Sequence, residues 1–214
     1  MRKFLIFLVS LSIVALLVVG FKSYTLYYYN TNNIDISNKT YLIRKNSKEK
    51  TNINIEKLNM FLDPEVYTTK DNGLSYEKVI GSGKINITVI HNIIQNTCYE
   101  DNKLLLVDYV DLMKYSKIDD EIGLIDYYIK NKDKELNIIN FIYEIKTKYL
   151  ANRFVDKLGI NGIISILSKE NGYIKEEDNL ITLNMFNDGN QYKIEFNDIT
   201  LDEVKEIMST IEFK

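Results

Sequence analysis

Phe4 to Phe21 reads FLIFLVSLSIVALLVVGF, 18 residues without a charge, in which only Ser10, Ser12 and Gly20 interrupt the apolar run. A helix of that length covers about 27 Å, close to the thickness of a bilayer's hydrocarbon core. Arg2, Lys3 and the terminal amine precede the run, and only Lys22 follows closely. The positive-inside rule then predicts a cytoplasmic amino terminus and an exported remainder. Tyr24, Tyr27, Tyr28 and Tyr29 stand just beyond, where amphipathic rings favour the headgroup region.

A cleaved leader has a shorter apolar core and ends at small residues. Val18-Val19-Gly20 is a poor site of that kind, and no Cys closes the run for lipid attachment. The expectation is an uncleaved signal anchor over 4–21 behind a cytoplasmic stub of residues 1–3. Cleavage near Gly20 and a buried core helix are the alternatives. No later run approaches this length: Leu104 to Val107 is broken by Asp108. The chain is expected to cross a membrane once at most.

Beyond the run, residues 22–40 are expected to form a polar spacer, ending in NTNNIDISNKT from Asn30 to Thr40. Tyr41-Leu42-Ile43 suits a short strand. Asn54, with Ile55, Leu58 and Phe61 at helical spacing, predicts a short capped helix ended by Pro64. From Val66 the period becomes two. Val66–Thr69 and Leu74–Val79 flank Lys70-Asp71-Asn72-Gly73, a hairpin signal, and Gly81-Ser82-Gly83 makes the next turn. Ile85, Ile87 and Val89 share one face of a third strand. Residues 91–118 fit strand or helix equally well by period.

Asp119 to Leu158 reads as two helices parted near Asn131-Lys132-Asp133. The second carries Ile138, Ile142, Ile145, Tyr149, Leu150, Phe154 and Leu158 as its apolar stripe, and Gly159 suits the C′ position. Ile163–Leu167 then predicts a strand, Asn171-Gly172 a hairpin turn, and Leu180–Phe186 a strand with Ile181, Leu183 and Met185 on one face. Asn187-Asp188-Gly189-Asn190 turns the chain into a strand facing inward through Tyr192, Ile194 and Phe196. Thr200 and Glu203 form a capping box before Leu201, Val204, Ile207 and Ile211.

The class is therefore α+β: antiparallel meanders packed on helices, in one domain over 41–214 that divides, if at all, into 41–118 and 119–214. Both halves hold a helix, an Asn-Gly pair and an alternating strand, which leaves a pseudo-repeat open.

Composition changes this picture in two places. The chain of 214 residues carries 27 basic and 30 acidic residues; without Arg2 and Lys3 the basic count is 25, so the exported part is net −5. Such a charge suits neither nucleic acid nor an anionic membrane surface. Lys outnumbers Arg 24 to 3, Asn and Ile abound, and Trp is missing, which points to an A/T-rich and bacterial coding origin. The many Asn, Lys and Tyr residues then need no functional explanation.

Candidate chemistry is sparse. One Cys and one His cannot build an intramolecular disulfide or a Cys/His zinc site. Ile80-Gly81-Ser82-Gly83-Lys84 resembles the end of a phosphate-binding loop, but Lys78 holds the earlier glycine position and Ile85 the hydroxyl position. His91 with Cys98, or with Ser82 and Asp108, is the material for nucleophilic catalysis. Asp119-Asp120-Glu121 and Glu176-Glu177-Asp178 are the two acidic runs. The first suits a helix start and the second a turn, in preference to calcium or glycosidase chemistry. No residue is nominated as catalytic, cofactor-binding or metal-binding. The expectation is a membrane-tethered extracytoplasmic module that binds or assembles with an envelope protein or polymer. An envelope hydrolase using carboxylates or His91 and Cys98, and a secreted factor, are the alternatives.

Overall fold

The computed structural model describes residues 2–29, 40–46, 51–91, 121–131, 144–145, 147–149, 151–152, 155, 159–167 and 171–214. The expectations for 92–118, Cys98 and Asp108 among them, for Asp119 and Asp120, and for Ile138, Ile142, Leu150, Phe154 and Leu158 lie outside these residues.

The apolar run is a helix, Arg2–Tyr29. It extends past the expected end at Phe21 because residues 22–29 contain no glycine or proline to stop it. From Arg2 to Tyr24 it is long and apolar enough to span a membrane or to act as a signal sequence, and its apolar window is not buried against the rest of the chain. Ser10 and Ser12 return their hydroxyls to the carbonyls of Ile6 and Leu8, each at 2.9 Å, so neither presents a free polar group.

The rest is mixed α and β, organised on an eight-stranded sheet. In chain order the strands are β1 (Thr40–Ile43), β2 (Ile53–Ile55), β3 (Leu58–Met60), β4 (Tyr67–Lys70), β5 (Ser75–Lys78), β6 (Lys84–Ile90), β7 (Gly162–Ile166), β8 (Asn171–Glu177), β9 (Leu180–Asn187), β10 (Asn190–Asn197) and β11 (Glu212–Phe213). The large sheet runs β1-β7-β8-β9-β10-β6-β5-β4, and β11-β3-β2 make a small one. Every pairing is antiparallel except β1 with β7. Strands from either side of residue 118 meet where β6 pairs with β10, with Ile85, Ile87 and Val89 opposite Phe196, Ile194 and Tyr192. The two segments therefore share one sheet.

Alternation explains the core. Ile181, Leu183 and Met185 share a face of β9 and continue across the ladder into Phe196, Ile194 and Tyr192 of β10. All six are buried in one cluster, closed by Leu58 and Met60 of the small sheet and by Val204, Ile207 and Met208 of the C-terminal helix, Leu201–Ser209. That helix starts as its capping box predicts: the Thr200 hydroxyl accepts the Glu203 N–H, and the Glu203 carboxylate accepts the Thr200 N–H at 3.0 Å. Gly172 lies opposite Met185, and a Cβ there would come within 2.7 Å of Leu183 Cδ1. Glycine lets two apolar side chains close over the strand.

The other face of the sheet is also covered. Tyr173, Thr182, Asn184, Phe186 and Gln191 are buried there, and the Tyr173 hydroxyl reaches Asp126 of the helix Glu121–Asn131 at 3.3 Å. Helical residues between 144 and 155 bury Ile145, Thr147, Ala151, Asn152 and Val155, while Tyr149 is half-buried. Gly159 takes φ +61, and the Ile160 N–H is bonded back to the Val155 carbonyl.

Two local expectations fail. Residues 53–60 form the β2–β3 hairpin, not a capped helix. Ile55 and Leu58 are paired across a turn in which Glu56 takes φ +54. Two residues flanking a two-residue turn stand three apart, which is also helical spacing. Pro64 consequently ends no helix and sits in the turn that leads into β4. Asn171-Gly172 is not a turn either: both residues lie in β8, opposite Ser165 and Ile164. With it goes the correspondence of Asn-Gly hairpins that suggested a repeat.

Candidate functional site

The chain brings an aromatic residue and three carboxylates together beside the C-terminal helix. Tyr67 opens β4 and is 8% exposed. It lines a groove of about 430 Å³ with Asp63, Glu203, Glu206, Asn46 and Thr210 among the other walls. That volume falls within the several hundred cubic ångströms usual for small-ligand sites.

Local chemistry fixes the walls. Asp63 Oδ1 accepts the Glu65 N–H at 2.8 Å, and its carbonyl accepts the N–H groups of Val66 and Tyr67. This Asx turn with Pro64 inside it aims the chain into β4. Thr210 Oγ1 accepts the Phe61 N–H at 2.9 Å and donates to the Ile207 carbonyl at 2.6 Å, which ties the loop before β4 to the helix end. The Asn46 N–H bonds the Ser209 carbonyl at 2.9 Å and closes the third side.

The carboxylates differ in their commitments. Glu203 is used up: Oε1 accepts from Lys78 Nζ at 2.7 Å, and Oε2 accepts from the N–H and hydroxyl of Thr200. The Lys78 hydrogen bond, against some opposing burial and with help from Thr200, holds its carboxyl below the ordinary carboxylate value. Glu206, one turn on, is exposed and has no cation within ion-pair distance among the described residues; nor has Asp63. Burial, with the charges of Glu203 and Glu206 adding to it, pushes the Tyr67 phenol up to about 12. Tyr67 therefore stays a neutral donor at physiological pH, in a groove whose net field is negative.

The residues weighed from sequence lie elsewhere. His91 is exposed just past β6, with Nε2 3.2 Å from Glu56 Oε1 in the β2–β3 turn. Ser82 precedes the same strand, so the seven residues of β6 separate the two by roughly 20 Å. The sheet thus holds that Ser and His apart. Glu176 and Glu177 belong to β8 and only Asp178 to the following turn; Glu176 accepts a hydrogen bond from the Tyr41 hydroxyl, and Glu177 pairs with Lys175 at 2.7 Å. Among the described residues no three His, Cys, Asp or Glu side chains converge as metal ligands.

The Tyr67 groove was not anticipated. Glu203 is legible only as the third residue of a capping box, and Asp63 only as the neighbour of a proline. With three carboxylates and a protonated phenol in its walls, the groove is rich in hydrogen-bond acceptors. No protein family, curated protein or solved structure matches the chain.

Proposed function

We propose that the chain is a single-pass, membrane-tethered module of a bacterial cell envelope, with its folded part, from residue 41 onward, outside the cytoplasm. Its role is to bind or assemble with an envelope protein or polymer, not to catalyse a reaction. The observation that carries this reading is the N-terminal helix, whose apolar window leaves every described side chain uncovered by the rest of the chain. An apolar surface of that size in water is unfavourable at about 25 cal/mol per Å², so the helix belongs in lipid. Arg2 and Lys3 at its start support the orientation. The Tyr67 groove supports binding.

The test is made on cells expressing the full chain. Carbonate-resistant membrane association, an intact mass that includes residue 1, and digestion of the folded part by protease added outside the cytoplasmic membrane are expected. Release of the whole population, or a mature mass beginning near Gly20, overturns the anchor. Protection of the folded part from that protease overturns the orientation.

A further inference from the structure

We propose that the Tyr67 groove is a binding site for a primary ammonium group, of the kind a lysine side chain or a free alkylamine carries. The proposal rests on the preceding reading only for where the groove faces.

Two observations converge on this chemistry. Asp63 and Glu206 bring carboxylates to the groove that no cation among the described residues neutralises, while Glu203 beside them is already paired with Lys78. Tyr67 is more than nine-tenths buried and lines the groove, and its hydroxyl has no hydrogen-bond partner among the described residues. Such a phenol offers an oxygen to an N–H donor and a ring face to a cation. An ammonium group has three donors and one charge, which two carboxylates and a phenol oxygen satisfy together. An anion is repelled by the same groups, and a neutral ligand leaves the charges unanswered.

The rim narrows the ligand further. Phe61, Val66 and Ile207 supply apolar parts of the groove wall. A cation on an alkyl stem can lay that stem against these side chains. Compact, strongly hydrated ions gain nothing from such a rim.

The experiment uses the full chain in neutral detergent micelles with ring-labelled tyrosine, the Tyr67 resonance being assigned by its loss in Tyr67→Phe. The probes are butylammonium, 1-butanol as its neutral counterpart, and a capped Leu-Lys-Leu peptide. A saturable shift of the Tyr67 resonance with butylammonium, in about the millimolar range for so small a ligand, is expected, with none from 1-butanol. Glu206→Gln and, separately, Asp63→Asn should each weaken it roughly three- to tenfold, and added salt should weaken it further. Tighter binding of the peptide assigns the amine to a polypeptide, and equal binding assigns it to a free alkylamine; both support the site. An equal response to 1-butanol, or affinities unchanged in both variants while the other tyrosine resonances hold their positions, overturns it. Neither result bears on the protease and extraction measurements, so the two readings fail separately.

Discussion

Lys78 Nζ and Glu203 Oε1 stand 2.7 Å apart, joining β5 to the first turn of the C-terminal helix, with the Lys78 side chain only 17% exposed. The same carboxylate caps the helix through Thr200, so one side chain serves both the helix start and the junction of sheet and helix. Since Lys78 holds the Glu203 carboxyl below its ordinary value of 4.5, ionised Glu203 stabilises the fold above that pH. The contribution is lost as pH falls through the lowered value in the folded state. Lys78→Met is expected to cost about 1 kcal/mol near neutrality, and to lose less stability than the parent on acidification. Urea denaturation of both chains at neutral and acidic pH measures this directly.

Thr200→Ala removes the hydroxyl that accepts the Glu203 N–H and should cost about 1 kcal/mol, whereas Thr200→Ser should be nearly neutral. The comparison separates the cap from the packing of the threonine methyl. It is read from urea midpoints at neutral pH.

Tyr67 and Tyr41 are both pushed up to about 12, by burial first, with Glu203 and Glu206 reinforcing it at Tyr67 and the Glu176 hydrogen bond at Tyr41. A raised value in the folded state means that folding favours the neutral phenol. That stability is complete below the unfolded value near 10 and is lost as pH rises towards 12. Phenolate absorbance should therefore show late-titrating groups that Tyr67→Phe and Tyr41→Phe each reduce, and Tyr67→Phe should be less sensitive to alkaline unfolding. Loss of neither late group in the two variants would sink the assignment.

Leu183 lies fully buried at the centre of β9, between Ile174 and Ile194. Leu183→Ala should cost about 2–5 kcal/mol, because its neighbours across both ladders cannot collapse into the space. Leu42 is 73% exposed on β1, and Leu42→Ala should stay within about 0.5 kcal/mol. Calorimetric or urea unfolding distinguishes the two.

Asn59 is fully buried in β3, and neither polar atom of its side chain has a hydrogen-bond partner among the described residues. Burying an unsatisfied amide is costly, so Asn59→Leu should raise stability by about 1 kcal/mol or more. A destabilised variant would show that the amide is needed where it stands.

Elements held together by neighbours in sequence were the legible ones. Ile181, Leu183 and Met185 against Tyr192, Ile194 and Phe196 are joined by one tight turn at Asp188-Gly189, so alternation alone places them. Thr200 and Glu203 are three residues apart and read as a cap without any tertiary knowledge. The small sheet was not legible, because β3 completes itself with Glu212 and Phe213, far along the chain. A two-residue strand has no period to detect. The groove has the same difficulty: Asp63 and Glu206 read as solvated charges until the capped helix settles beside β4.

The attachment of β1 has a mechanical meaning. Among the described residues it is the first strand after the N-terminal helix, it lies at the sheet edge, and it alone runs parallel to its neighbour, over Thr40–Ile43 against Ile163–Ile166. Under the proposed anchoring, a pull on the helix would meet β1 first, with the core strands β9 and β10 lying three and four strands further into the sheet.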